Sequence, residues 1–98
     1  MEIYIVYYAK PGCKAADFVR ELQESGVADA VRHEDGCLRY EYFLSADRPD
    51  VAMLMEQWVS LEHQQVHLTQ PHMTELRAIK NKYIDHTARG EYTPERGA

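Results

Sequence analysis

Two hydrophobic periods alternate along this chain, and their order predicts its fold. Ile3 to Ala9 is a β-branched and aromatic run, the pattern of a strand buried on both faces. Lys10-Pro11-Gly12 ends it with turn chemistry. From Cys13 the spacing lengthens. Ala15, Phe18, Val19 and Leu22 recur at three and four residues, with Lys14, Asp17, Arg20, Glu21 and Glu24 between them, which predicts an amphipathic helix. Beyond Ser25-Gly26, the residues Val27, Ala28, Ala30 and Val31 predict a second short helical piece. Glu34-Asp35-Gly36 closes it, the glycine suiting a positive φ.

Strict alternation follows. Between Cys37 and Leu44, the side chains of Leu38, Tyr40, Tyr42 and Leu44 share one face, and those of Cys37, Arg39, Glu41 and Phe43 the other. Ser45 to Asp50 is a polar turn containing a proline, so a hairpin is expected. Val51 to Val59 is its return strand, with Ala52, Leu54, Glu56 and Trp58 on one side and Val51, Met53, Met55, Gln57 and Val59 on the other. Ser60 is a good N-cap, and Glu62 sits favourably in the first turn of a helix expected to reach Gln70. Pro71 opens a further helical segment, whose apolar stripe is Met73, Leu76, Ile79 and Tyr83. Tyr83 to Arg89 is a final strand, and Gly90 to Ala98 reads as a tail.

The order βαββαβ is that of a ferredoxin-like α+β domain, residues 1–89, with helices on one face of an antiparallel sheet. The uncovered face carries enough apolar side chains to call for a second copy of the chain, sheet against sheet. Size agrees: 98 residues make one domain with one core but leave little for a large closed pocket. A net charge of −5 argues against nucleic acid or an anionic membrane as partner. No apolar run approaches the roughly 20 residues that span a bilayer. The start, Met1-Glu2-Ile3-Tyr4, has no basic region of the signal-peptide kind. A cytoplasmic protein is therefore expected, with Cys13 and Cys37 as free thiols.

Most of the candidate chemistry falls between Met55 and Met73, which holds the only tryptophan and three of the five histidines. His63 and His67 share a helix face, and His63-Gln64-Gln65-Val66-His67 imitates a zinc-protease motif but lacks the glutamate that serves as base. His67, with Val66, Leu68 and the preceding strand around it, can instead be a neutral imidazole able to take a proton near pH 7; a structural histidine bonded to backbone is the alternative. Glu56 and Trp58 project together, so that carboxylate is either paired or raised in pKa by desolvation. Tyr40 faces the same cavity if the hairpin register allows. There is no glycine-rich phosphate loop and no Cys-x-x-Cys. The chemistry must use few protein groups and a substrate that brings its own reactivity.

These residues have a family look. Glu34-Asp35-Gly36-Cys37-Leu38-Arg39-Tyr40 resembles the E-x-G-C-x-x-Y opening of the second strand in antibiotic-biosynthesis-monooxygenase (ABM) domains. Glu56-Gln57-Trp58, Ser60, His67-Leu68 and Pro71-His72-Met73 resemble that family's E-x-W-x-S…H-L…P-H block, in a form most similar to bacterial quinol monooxygenases. The resemblance implies a dimeric α/β barrel built from two ferredoxin-like domains. It implies a pocket between sheet and helices in each, and oxidation of a quinol or related phenolic aromatic by O2 without flavin, metal or other cofactor. It implies His67 as the catalytic base and Tyr40, Glu56, Trp58 and His72 as substrate-binding positions. The heme-degrading branch fits poorly, having tryptophan where His67 stands and a heme-ligating histidine where Arg77 stands. A non-catalytic dimeric domain for a small aromatic ligand would use the same pocket. An isomerase of this fold would call for a phosphate site, which the sequence does not reveal.

Overall fold

The computed structural model describes residues 1–95, so the last three residues of the expected tail lie outside the described residues. Strands β1 (Glu2–Ala9), β2 (Cys37–Leu44), β3 (Val51–Trp58) and β4 (Ile84–Glu91) form one antiparallel sheet in the order β2-β3-β1-β4. Helices α1 (Ala15–Glu24) and α2 (Val27–Arg32) connect β1 to β2, and α3 (Leu61–His67) and α4 (His72–Tyr83) connect β3 to β4. Each helical crossover therefore joins parallel strands with a third strand between them, the split βαβ arrangement of the ferredoxin-like fold.

The inner face follows the alternation of β3, where Ala52, Leu54, Glu56 and Trp58 are all buried. Phe18, Leu22, Val27 and Val31 from the first crossover and Met73, Leu76 and Ile79 from the second close over it. β1 departs from expectation. Only its inner side is buried, at Ile3, Tyr7 and Ala9, while Tyr4, Val6 and Tyr8 are half-buried because no helix packs on their side. Met53 and Met55 lie on that same outer face and are not core; Met73 is.

The alternation of β2 is broken at its start. Cys37 pairs with Trp58 and Arg39 with Gln57, so Leu38 is the extra residue of a β-bulge. The bulge turns Cys37 toward the core and leaves Leu38 exposed. Beyond it Tyr40 pairs with Glu56 and Tyr42 with Leu54, restoring the expected inner face. Gly36, just before the strand, has φ +80°, and a Cβ there would run into the His63 ring. Both facts require glycine.

Two boundaries move by more than one residue, while Tyr83 ends α4 rather than opening β4 and β3 stops at Trp58. α3 ends at His67 rather than near Gln70, because Gln70 precedes proline and is steered out of the helical region. The Thr69 hydroxyl and the Gln70 amide both donate to the Val66 carbonyl, satisfying one of the last carbonyls of the helix. β4 takes in Gly90 and Glu91, two residues past Arg89, where the tail was expected to begin. Gly90 pairs with Tyr4, whose ring would clash with any Cβ at that position.

Candidate active site

Ser60 caps α3 as expected, its hydroxyl accepting from the His63 amide. This sets the helix phase so that Gln64 and His67 point to the sheet and are buried. His67 lies against Trp58, with ring centroids 4.7 Å apart, and 6.0 Å from the Tyr40 ring. Those aromatic rings, not Val66 and Leu68, make its surroundings apolar; Val66 and Leu68 are exposed.

His67 Nδ1 lies 2.9 Å from Glu34 Oε2, and His72 Nε2 lies 2.7 Å from the same oxygen. An ionised carboxylate only accepts, so both ring nitrogens are N–H donors. For a neutral His67 this leaves Nε2 with its lone pair free, and Nε2 makes no hydrogen bond among the described residues. Glu34 thus selects the tautomer and aims the ring, as a third group does for the base in nucleophile–base pairs. Sequence reading noted Glu34 as a motif position and assigned it no role. Its placement beside the histidines depends on α2, the bulged start of β2 and α3 meeting in space.

Glu56 and Trp58 are both paired and desolvated. The Trp58 indole N–H donates to Glu56 Oε1 at 3.0 Å. Burial pushes the Glu56 carboxyl above the ordinary range, while the indole N–H, His67 and Arg89 pull it partly back. Burial likewise holds the Tyr7 and Tyr40 phenols well above their usual value, so both stay protonated. Tyr40 and Tyr42 are linked through their hydroxyls at 3.2 Å. The Cys37 thiol is pushed up to about 11, first by burial and then by the Glu34 and Glu56 carboxylates, which makes it a poor nucleophile at neutral pH.

A cavity of about 180 Å³ lies between the inner sheet face and α3 and α4. Tyr40, Glu56 and His67 line it, together with Ile3, Ile5, Tyr7 and Leu54 from the sheet and Gln64, Met73 and Leu76 from the helices. Trp58 and His72 are not among its lining residues. Trp58 backs His67 and Glu56 from the core, and His72 reaches the site through Glu34. A wider hollow of about 300 Å³, on the other side of α3, is lined by Asp35, Glu62, His63, Val66 and Gln70 with Glu34. It offers acids and no enclosed base. His63 bonds Ser60 Oγ through Nδ1 at 2.7 Å and lies 3.5 Å from Asp35, away from His67. Among the described residues, no group of three or more His, Cys, Asp and Glu side chains is placed to hold a metal ion. No helix there is long and apolar enough to cross a membrane.

The fold is shared with many solved structures. One from Pseudomonas aeruginosa superposes with a TM-score of 0.80 at 19% identity, covering 96% of this chain and 92% of the other. One from Mycobacterium tuberculosis gives 0.77 at 24% identity, with 99% and 96% covered. A structure named antibiotic biosynthesis monooxygenase gives 0.74 at 22% identity, with 95% and 98% covered. At such identities the likeness speaks for the fold alone. No curated protein matches the chain. The sequence profile described as antibiotic biosynthesis monooxygenase matches residues 2–79. That span runs from β1 through most of α4 and includes His67 and every side chain of its hydrogen-bonded network, so the chain belongs to the antibiotic biosynthesis monooxygenase family.

Proposed function

We propose that the protein is a cofactor-independent monooxygenase that oxidises a quinol or related phenol with O2. The observation that carries this reading is the buried His67. Glu34 fixes its Nδ1–H, and its free Nε2 belongs to a side chain that lines the cavity. The cavity is smaller than the roughly 300–1,000 Å³ typical of drug-sized ligands, which suits a one- or two-ring phenol. His67 Nε2 takes the phenolic proton; Tyr40 and the apolar wall orient the ring and exclude water. The electron-rich phenolate passes one electron to O2, and the radical pair joins at a ring carbon bearing hydrogen to form a peroxide. Loss of water leaves a carbonyl at that carbon: one oxygen atom enters the product, the other leaves as water.

The half-buried outer face at Tyr4, Val6, Met53 and Met55 supports a homodimer through this face, which sedimentation would report as twice the 11.4 kDa chain mass. The activity is tested by oxygen uptake with a reduced naphthoquinone, corrected for spontaneous oxidation. His67→Ala should lose about 10²–10⁴-fold, the usual worth of a positioned base. Equal rates in both proteins would remove His67 from the mechanism.

A further inference from the structure

The cavity has a second chemical character. Besides Glu56 and His67, its lining includes three cations: Arg77 and Lys80 on α4 and Arg89 on β4. Spacing of three residues places Arg77 and Lys80 on one side of α4, and pairing with Ile5 places Arg89 on the inner face of the sheet. The helix and the sheet thus present positive charge to the same space. Arg77 and Arg89 are exposed and Lys80 is half-buried, whereas His67 and Glu56 are buried. The cations therefore mark the mouth and the acid–base groups the inner end.

Their lack of partners is the second observation. Arg20, Arg32, Arg39, Arg48 and Lys82 each form an ion pair with a carboxylate. Among the described residues, Arg77, Lys80 and Arg89 form none; neither do Lys10 and Lys14, but these do not line the cavity, and the chain carries a net charge of −5. Arg77 donates to the Leu68 carbonyl at 2.9 Å, which ties α4 to the end of α3 and leaves its other N–H groups available. Glu91, two residues from Arg89 on the same strand, makes no ion pair with it. Three cations without an ion pair converge on one small cavity whose lining holds a single carboxyl, Glu56, so the positive charge is in excess there, an anion-recognition arrangement.

We propose that the substrate is a phenol or quinol carrying a carboxylate or similar anionic group, bound with that group between Arg89, Lys80 and Arg77 and with the phenol toward His67. This rests on the phenol-oxidising reading above and deepens it. The anion fixes which end of the ring enters first, so the hydroxyl meets Nε2 and the reacting carbon is held in one orientation.

The test uses 2,5-dihydroxybenzoate and its neutral methyl ester. Binding is followed without oxygen through the fluorescence of Trp58, the only tryptophan, which packs on His67. The wild type should bind the acid about tenfold or more tightly than the ester, as expected of charged hydrogen bonds. In Lys80→Gln/Arg89→Gln this preference should fall to about threefold or less, with ester binding unchanged. Lys14→Gln, which removes one positive charge at an exposed site remote from the cavity, should leave the preference intact. Equal binding of acid and ester by the wild type, a preference that survives the double variant, an equal loss in Lys14→Gln, or no binding of either compound would each overturn the proposal. Oxygen uptake measured separately keeps the two readings apart. Preference for the acid without turnover defeats the oxygenase reading alone; turnover without preference defeats this one alone.

Discussion

One sheet face supports two different interiors. Under α1 and α2, Tyr7, Phe18, Leu22, Val27 and Val31 pack with Tyr42 into a core without an ionised group. Phe18 is fully buried, with its ring 5.0 Å from that of Tyr7 and 6.2 Å from that of Tyr42. Under α3 and α4, the same face carries Glu56, meets His67 and Gln64, and leaves a cavity. Both halves obey the same alternation of apolar and polar positions. They differ because Glu56 occupies a position on β3 that the alternation assigns to the core, with His67 facing the sheet from α3. Polar groups buried among aromatic rings cost stability unless they are bonded, and each of these has a partner: Trp58 for Glu56, Glu34 for His67. One half is closely packed, and the other gives up close packing to hold a buried histidine and carboxyl.

The largest effect should come from the packed half. Phe18→Ala should cost about 3–5 kcal/mol, the usual price of emptying a phenylalanine site. That is a large share of a small domain's stability, and it would appear as a lowered denaturant midpoint with the slope unchanged. Wild-type-like stability would mean that the two halves do not divide as described.

Glu34→Gln should act in the opposite sense, with a stability change small beside that of Phe18→Ala. Both bonds go to one oxygen, which a glutamine amide oxygen can replace as acceptor, but without charge, so the charge-assisted bond that holds the tautomer and aim of His67 is weakened. Activity should drop by about tenfold to a hundredfold, of the order that misplacement of a reacting group costs, and mostly in kcat. Unchanged kcat would reduce Glu34 to a structural bridge between His67 and His72.

The smallest effect concerns pH. Burial raises the folded Glu56 pKa above the ordinary 4.5, so the folded protein holds this proton more tightly than the unfolded chain. The stability from that group is fully present below the unfolded value and is lost as pH rises through the folded one. Glu56→Gln should therefore gain melting temperature relative to wild type as pH rises from about 4 to about 7. A difference that is flat or reversed over that range would show that the charge is not held at a cost.

Much of this molecule is legible without its structure, and the boundary of legibility has a physical cause. Alternation along Val51–Val59 depends only on the two-residue repeat of a strand, so it placed Glu56 and Trp58 on one face correctly. The Ser60 cap and the positive φ at Gly36 are equally local. The bulge at Leu38 broke the alternation of β2 because an inserted residue is a property of a strand pair and not of one strand. β1 reads as buried on both sides because its outer residues are apolar, yet no helix among the described residues packs on that side and they stay half-buried.

The site divides the same way. His67 stood out through its own motif. Glu34, 33 residues before it, became its partner only through packing of the loop after α2 against α3. Arg77, Lys80 and Arg89 drew no site role from the sequence. Only the docking of α4 over the inner face and the pairing of β4 with β1 turn them toward one cavity. The sequence by itself determined which faces are apolar and where the elements start, because those follow from backbone repeats and caps. Tertiary structure alone decided which charges meet, because that depends on register and packing between elements far apart in the chain.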